Sequence, residues 1–278
     1  MKKQFLVRVE AALADIPKEA LDYNREEFWM IKRPYEYIEQ YVNERELFNT
    51  AIALPLARGL HDGSHRKSGV TRDGEFYRLP YVIHCLLVCR MLLDLQVPLA
   101  KEEEDVLLAA SLCHDMIEDL PFTDGGRELS TVYHLDPRVY EVVKKVSKRR
   151  DFTPEEEQAH FDTIQEDPLA LLVKLSDRGN NVEDLYNMKI RKVHEYIGET
   201  RRYFFDMCSY GKAHYPGLYE AYEVLEDKIR GLTEMAEILV DRYVEMDNSM
   251  NAQIQELQQE NERLRRTWQE LKAREVDA

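Results

Sequence analysis

Apolar residues recur at three- and four-residue spacing along nearly the whole chain. Val82, Leu86, Cys89 and Leu93 form one such stripe, and Val106, Ala109, Leu112 and Met116 form another. That period matches one face of an α-helix, and runs alternating at a period of two are scarce, so the expected fold class is all-α. The 278 residues are 44% hydrophobic, enough for a sizeable core. Punctuation falls at His61 to Pro80, Leu120 to Arg127 and Glu166 to Pro168, where Gly, Pro, Asp or Ser cluster. These three stretches are expected to be loops, and function is expected to sit on them.

From about Val240 the pattern becomes a heptad, with Val240, Met250, Ile254, Leu257, Leu264, Trp268 and Leu271 at a and d positions. Asn261 at an a position, and Glu260 at g ahead of Arg265 at the next e, suit a parallel homodimer. Tyr243 and Asp247 make the early seam imperfect, and the other reading is one amphipathic helix folded back on its own domain. The expected organisation is an N-terminal helical segment over 1–50, a main domain over 51–235 and a coiled-coil helix over 236–278.

Charge and composition narrow the partners. With 38 basic against 53 acidic residues the formal charge is −15, which argues against a nucleic-acid polymer but leaves room for a single nucleotide in a locally cationic cleft. The start MKKQFLVRVE loses its apolar run at Arg8 and is not read as a signal peptide. No apolar stretch approaches the ~20 residues needed to span a bilayer, so no membrane partner and a cytoplasmic location are expected. Cys85, Cys89, Cys113 and Cys208 lack a CxxC pattern and sit mostly in apolar runs, as reduced thiols do. Cys85 and Cys89, one helical turn apart, admit a reading as half a metal site; core packing is preferred.

The chemistry gathers in LLAASLCHDMIEDL, where an apolar helix ends in His114, Asp115, Glu118 and Asp119. On one continuous helix His114 would lie above Glu118 and Asp115 above Asp119. Burying several charges against Leu and Ala costs several kcal/mol each unless a cation compensates them, and a divalent metal is the simplest compensation. His84, in the first turn of PYVIHCLLVCRML, and Asp177, read at the end of LALLVKLSD, place ligand-type side chains near the ends of two more apolar helices. Singly, each reads as a satisfied core histidine or a helix cap; together with HDxxED they suggest one site. The acidic runs Lys101 to Asp105 and Pro154 to Glu157 read as solvated first turns. His65, His134, His160, His194 and His214 lack ligand spacing and are given surface or local structural roles, with His61 intermediate.

HDGSHRKSG (His61 to Gly69), PYVIH (Pro80 to His84), HDMIED (His114 to Asp119), VKLSDRGNN (Val173 to Asn181) and Glu199-Thr200 follow one another in order. In these motifs, from about His61 to Thr200, the chain resembles the HD-domain hydrolases, and within them the hydrolase half of the Rel/Spo alarmone enzymes and their small stand-alone relatives. The resemblance implies an HD-domain helical bundle. It implies that His84, His114, Asp115 and Asp177 bind one metal, Mn²⁺ in the family; the mixed imidazole and carboxylate set suits Mn, Fe or Zn by softness, and Mg is a further alternative. It implies that Glu118 and Asp119 position and deprotonate the attacking water. Arg66, Lys67 and Ser68 are assigned to the nucleotide, Asn181 to its sugar, and Lys174 more weakly to phosphate.

The implied reaction removes the 3′-pyrophosphate of an alarmone such as (p)ppGpp or an adenosine analogue. Two departures stand out. VTRDGEFYRLP between Gly69 and Tyr81 is longer than the family loop, and DRGNN stands where the family has DRLHN, which would widen the base pocket or loosen the turn. The residues after Thr200 read as helix and coiled coil, so a hydrolase without a synthetase half is expected. The alternatives are an HD phosphohydrolase acting on another nucleotide, and a degenerate nucleotide-sensing or interaction module.

Overall fold

The structure, a computed structural model, describes residues 2–23, 29–72, 75–149, 151–185, 188 and 190–276; side chains at 2, 29, 67–72, 75–77, 270, 271 and 273–276 lie outside the description. The fold is all-α with one small hairpin. In chain order come α1 (Lys2–Ala14), a 3₁₀ turn (Lys18–Ala20), α2 (Trp29–Arg45), α3 (Phe48–Leu60), β1 (His65–Arg72), β2 (Glu75–Pro80), α4 (Val82–Asp94), α5 (Lys101–Cys113), α6 (Met116–Asp119) and α7 (Glu128–Thr131). They are followed by α8 (Pro137–Val146), α9 (Pro154–Gln165), α10 (Pro168–Glu183), α11 (Ile190–Glu199), a π turn (Thr200–Phe204), α12 (Phe205–His214), a 3₁₀ turn (Pro216–Leu218) and α13 (Tyr219–Val276). The chain divides into two compact units, Met1–Thr233 and Glu234–Ala278.

Within the first unit α5 is the central helix. Every residue from Asp105 to Cys113 is buried, and α5 packs against α3, α4, α8 and α10. A helix apolar all round has to be enclosed by others, which is why its neighbours come from both sides in sequence. α10 is nearly as buried, from Leu169 through Val173 and from Leu175 through Asn180. Its start is well determined: Asp167 accepts from the backbone N–H groups of Leu169 and Ala170, and Pro168 occupies the first turn. Arg138 and Lys145 pair with the same carboxylate at 2.8 and 3.2 Å. All four cysteines are buried and unpaired.

Several sequence expectations change. His61 to Pro80 is not a plain loop. β1 and β2 pair antiparallel, Arg72 opposite Glu75 and His65 opposite Pro80, with an irregularity between His65 and Gly69. The sequence there, VTR-Asp73-Gly74-EFY, carries a two-residue hairpin signal between β-branched and aromatic residues. Gly63, at φ +85°, makes the left-handed turn that leads into β1.

Asp105 is not solvated. α3 lacks a side-chain cap of its own, and Asp105 supplies one from α5, accepting from the backbone N–H groups of Asn49 and Thr50 at 2.8 Å each. Glu104 is held by Tyr41 and Arg45, and Glu157 by Lys148 and Tyr203. Gly179 lies inside α10, where an added Cβ would stand 3.4 Å from Met91 Sδ, so DRGNN forms helix rather than a turn.

Gly59 marks the closest backbone approach. A Cβ there would lie 2.2 Å from the carbonyl oxygen of Ala20, an atom that moves only with its backbone. Gly59→Ala is expected to cost about 1–3 kcal/mol, the usual penalty for overpacking, read as a lower urea midpoint with an unchanged slope.

The second unit is one helical stretch, the continuation of a 58-residue α13. Met250, Ile254, Leu257, Leu264 and Trp268 are exposed along it. No helix among the described residues is long and apolar enough to cross a membrane.

Candidate metal centre

His84 sits in the first turn of α4, with its ring at the convergence of α4, the C-terminal end of α5 and α10. Its Nδ1 lies 2.7 Å from Asn180 Oδ1, and the His114 Nδ1 lies 2.8 Å from the carbonyl oxygen of Ser111. Both partners are acceptors, so both Nδ1 atoms carry the proton and donate it. Each ring therefore presents a bare Nε2 when neutral. Those two nitrogens stand 3.1 Å apart.

Two carboxylates close the set. Asp115 Oδ2 lies 3.0 Å from His114 Nε2 and 3.4 Å from His84 Nε2, and Asp177 Oδ1 lies 3.1 Å from His84 Nε2 and 3.7 Å from His114 Nε2. Among the described residues, ligand atoms of His84, His114 and Asp115 all fall within 4.8 Å of one another. Four lone-pair atoms facing one another repel unless a cation lies among them. Two imidazole nitrogens and two carboxylate oxygens fit a borderline divalent metal.

The proton equilibria agree with this. Burial lowers the His114 pKa, but the Asp115 and Asp177 carboxylates outweigh it and hold the imidazolium well above its ordinary range. Burial raises both aspartates; His114 and His84 pull Asp115, and Lys174 with the same histidines pulls Asp177, well below the ordinary carboxylate value. A cation among these four atoms would take the place that a proton on His114 otherwise occupies.

The other sequence-predicted residues divide. α5 ends at Cys113 and α6 starts at Met116, so His114 and Asp115 lie in a break rather than on one continuous helix; Asp115, at φ −94° and ψ −4°, occupies the bridge region of backbone space. His114 therefore no longer shares a continuous helix with Glu118, whereas the Asp119 N–H still reaches the Asp115 carbonyl at 3.0 Å, one helical turn on. Asp177 is not at a helix end either, since α10 continues to Glu183.

Glu118 is exposed and accepts the backbone N–H of Lys148 at 2.5 Å; partial desolvation by its neighbours raises its pKa against the opposing pull of Lys174. Asp119 is exposed, and its charge reaches Tyr81 and Cys85. Lys174 Nζ lies 3.4 Å from Asp177 Oδ2; burial lowers its pKa, while Asp177 and Glu118 raise it by more. Asn181 Nδ2 donates to Asp177 Oδ1 at 2.5 Å. Arg66 is buried and pairs with Asp184 at 2.8 Å. The side chains of Lys67 and Ser68 lie outside the described residues.

Two contributors, Tyr81 and Asn180, have no role assigned from the sequence, and a third, His61, is intermediate there. Tyr81 donates its hydroxyl to Asp115 Oδ2 at 2.5 Å, and burial with Asp115 nearby pushes its pKa far up, so it stays a donor. Its place beside His84 in PYVIH was the available signal. Asn180 stands out in the sequence only as part of DRGNN, which points to the base pocket or the turn and not to a bond with His84. His61 is buried against the Tyr81 ring, with both nitrogens lacking a hydrogen-bond partner among the described residues, and burial lowers its pKa to about 4.

Glu199 and Thr200 wrap Arg178, the neighbour of Asp177. Glu199 pairs with Arg178 and, at 3.0 Å, with Lys148; burial opposes its charge, but these two cations outweigh it and lower its pKa from 4.5 to about 2. The folded pKa is the lower one, so the stabilisation is full above pH 4.5 and fades as pH falls through 2. Glu199→Gln is expected to cost on the order of 2–3 kcal/mol at pH 7, the side chain being about a quarter exposed. In denaturant titrations the deficit should shrink by about half at pH 3.

An all-α scaffold that brings two histidines and two aspartates together, beside Lys174 and Glu118, defines a class: helical proteins whose donor set fits a divalent metal. No family model matches the chain. Two curated proteins similar to it are each named guanosine-3′,5′-bis(diphosphate) 3′-pyrophosphohydrolase. The one from Haemophilus influenzae is 26% identical over 178 residues, 62% of this chain and 23% of the relative. The one from Aquifex aeolicus is 29% identical over 180 residues, 63% of this chain and 22% of the relative. The chain therefore spans less than a quarter of the length of either.

Proposed function

We propose that this chain is an HD-type, metal-dependent phosphohydrolase that removes the 3′-pyrophosphate from an alarmone nucleotide such as (p)ppGpp or an adenosine analogue. The observation that carries the reading is the convergence of His84, His114, Asp115 and Asp177, with both histidines committed through Nδ1 and both Nε2 atoms turned to the two carboxylates. The substrate class rests on the names of the two similar proteins and on the motifs from His61 to Thr200.

A divalent metal held by these four residues, Mn²⁺ in this proposal, would polarise a phosphoryl oxygen and lower the pKa of water. Glu118 is the base: its carboxyl is shifted upward from the ordinary carboxylate value, the direction a proton acceptor needs, and the Lys148 N–H fixes its carboxylate. Asp119 supports it, and Lys174 offers positive charge to phosphate. Lys67 and Ser68 are the proposed nucleotide-facing residues; Arg66 and Asn181, which the motifs place with them, are bonded to each other and to Asp184 and Asp177 beside the cluster. The catalytic domain is assigned to 51–235.

The 236–278 helix is proposed to pair in parallel with a second copy. Exposed Ile254, Leu257, Leu264 and Trp268 form its seam, with Asn261 at a and Glu260 facing the partner's Arg265.

Purified protein incubated with Mn²⁺ and guanosine or adenosine 3′-pyrophosphorylated nucleotides, resolved by ion exchange, tests the reading. Release of pyrophosphate and the matching 3′-hydroxyl nucleotide is expected. Absence of pyrophosphate from both nucleotide series would overturn the substrate assignment.

A further inference from the structure

The guanidinium of Arg66 lies against two consecutive asparagines of α10. Nη1 stands 3.4 Å from Asn180 Oδ1, and Nη2 stands 3.2 Å from Asn181 Oδ1. Each asparagine in turn holds one member of the metal cluster. Asn180 Oδ1 accepts from His84 Nδ1 at 2.7 Å, and Asn181 Nδ2 donates to Asp177 Oδ1 at 2.5 Å.

The orientation of both amides follows from their partners. Asn180 must turn its oxygen to Arg66, which only donates, and its Nδ2 lies 3.4 Å from Glu183 Oε2, which only accepts. Asn181 must likewise give its oxygen to Arg66 and its amide N–H to the Asp177 carboxylate. Asp184 fixes the guanidinium itself at 2.8 Å, and Lys228 holds Glu183 at 2.7 Å. Arg66 is 7% exposed, so these bonds form where water competes weakly.

We propose that Arg66 is a positioning residue for the metal centre: through Asn180 it fixes the Nδ1–H tautomer and ring orientation of His84, and through Asn181 it fixes the carboxylate of Asp177. The inference rests on the metal-site reading of the proposed function and is independent of which nucleotide is hydrolysed. Only a planar, forked donor reaches two amide oxygens at once, so lysine cannot replace it.

The test uses the full chain without nucleotide. Mn²⁺ affinity is measured by electron paramagnetic resonance of the free ion, and circular dichroism reports folding. Arg66→Gln, Arg66→Lys and Asn180→Leu are each expected to weaken Mn²⁺ binding by about 10–100-fold, the usual effect of losing a residue that orients a ligand. Asn180→Asp keeps an acceptor for His84 but turns a carboxylate oxygen toward Glu183, so it should lose less Mn²⁺ affinity than Asn180→Leu and keep the Nδ1–H form of His84.

In metal-free, ¹⁵N-labelled protein, His84 should show a protonated Nδ1 that Asn180→Leu converts toward the Nε2-protonated form. This reading stands even where an Arg66 variant fails to fold. Affinities of Arg66→Gln and Asn180→Leu within twofold of the parent, with loss confined to nucleotide KM, would overturn the proposal. So would a parent that binds no Mn²⁺. A parent that binds Mn²⁺ as described yet releases no pyrophosphate would contradict the proposed substrate and leave the positioning role standing.

Discussion

Asp115→Asn is expected to abolish tight Mn²⁺ binding and to lower the rate of pyrophosphate release by about a thousandfold or more. Asp115 Oδ2 is the carboxylate oxygen closest to the His114 Nε2, and it takes the Tyr81 hydroxyl bond as well. An amide in its place keeps the shape but removes a full negative charge from a buried cluster. Loss of the several kcal/mol that a bound cation contributes to phosphoryl transfer corresponds to at least three decades in rate. Fold stability provides an independent readout. Mn²⁺ at a hundred times its dissociation constant should stabilise the parent by about 2.7 kcal/mol, seen as a raised unfolding midpoint relative to chelator-treated protein. Asp115→Asn should show no such rise.

Glu118→Gln is expected to separate proton transfer from metal binding. Mn²⁺ affinity should stay within a few-fold of the parent, because Glu118 makes no contact with the histidine nitrogens and instead accepts the Lys148 N–H. Turnover should fall by about 10²–10⁴-fold, the usual contribution of a positioned general base, with the loss in kcat rather than in KM. Glutamine still accepts the Lys148 N–H, so the α6 backbone should stay in place. A variant that lost metal binding in parallel with turnover would make Glu118 part of the cation site and leave the base unassigned.

Much of the site was legible because its chemistry conflicts with its surroundings. Histidines and aspartates in runs such as LLAASLCHD and PYVIHCLL are costly to bury without a cation, and that conflict is visible without coordinates. The backbone geometry around them was less legible. Periodicity carried LLAASLCHDMIEDL as one helix, whereas the bridge conformation of Asp115 separates α5 from α6 and turns His114 and Asp115 toward α4 and α10. Asp177 read as a terminus because polar residues follow it. Those residues stay helical because Arg178, Gly179 and Asn180 are buried, Arg178 against Glu199 and Asn180 against His84.

Tertiary partners account for the other differences. Asp105 looked like any acidic residue in a first turn until α3, whose own N-terminus lacks a side-chain cap, was seen to use it. Asn180 stands out in the sequence only as part of DRGNN, and its importance comes from the ring nitrogen and the guanidinium it meets. The hairpin is a different case. Its signal was present at Asp73-Gly74 between β-branched and aromatic residues, and the surrounding Gly, Ser and charged residues led to a loop assignment.

The most direct test of the central claim is anomalous diffraction at the manganese edge from crystals of the full chain grown with Mn²⁺. The predicted result is one strong peak per chain enclosed by the Nε2 atoms of His84 and His114 and the carboxylates of Asp115 and Asp177. A saturated crystal with its manganese elsewhere, and the two Nε2 atoms still facing each other with no peak between them, would contradict it.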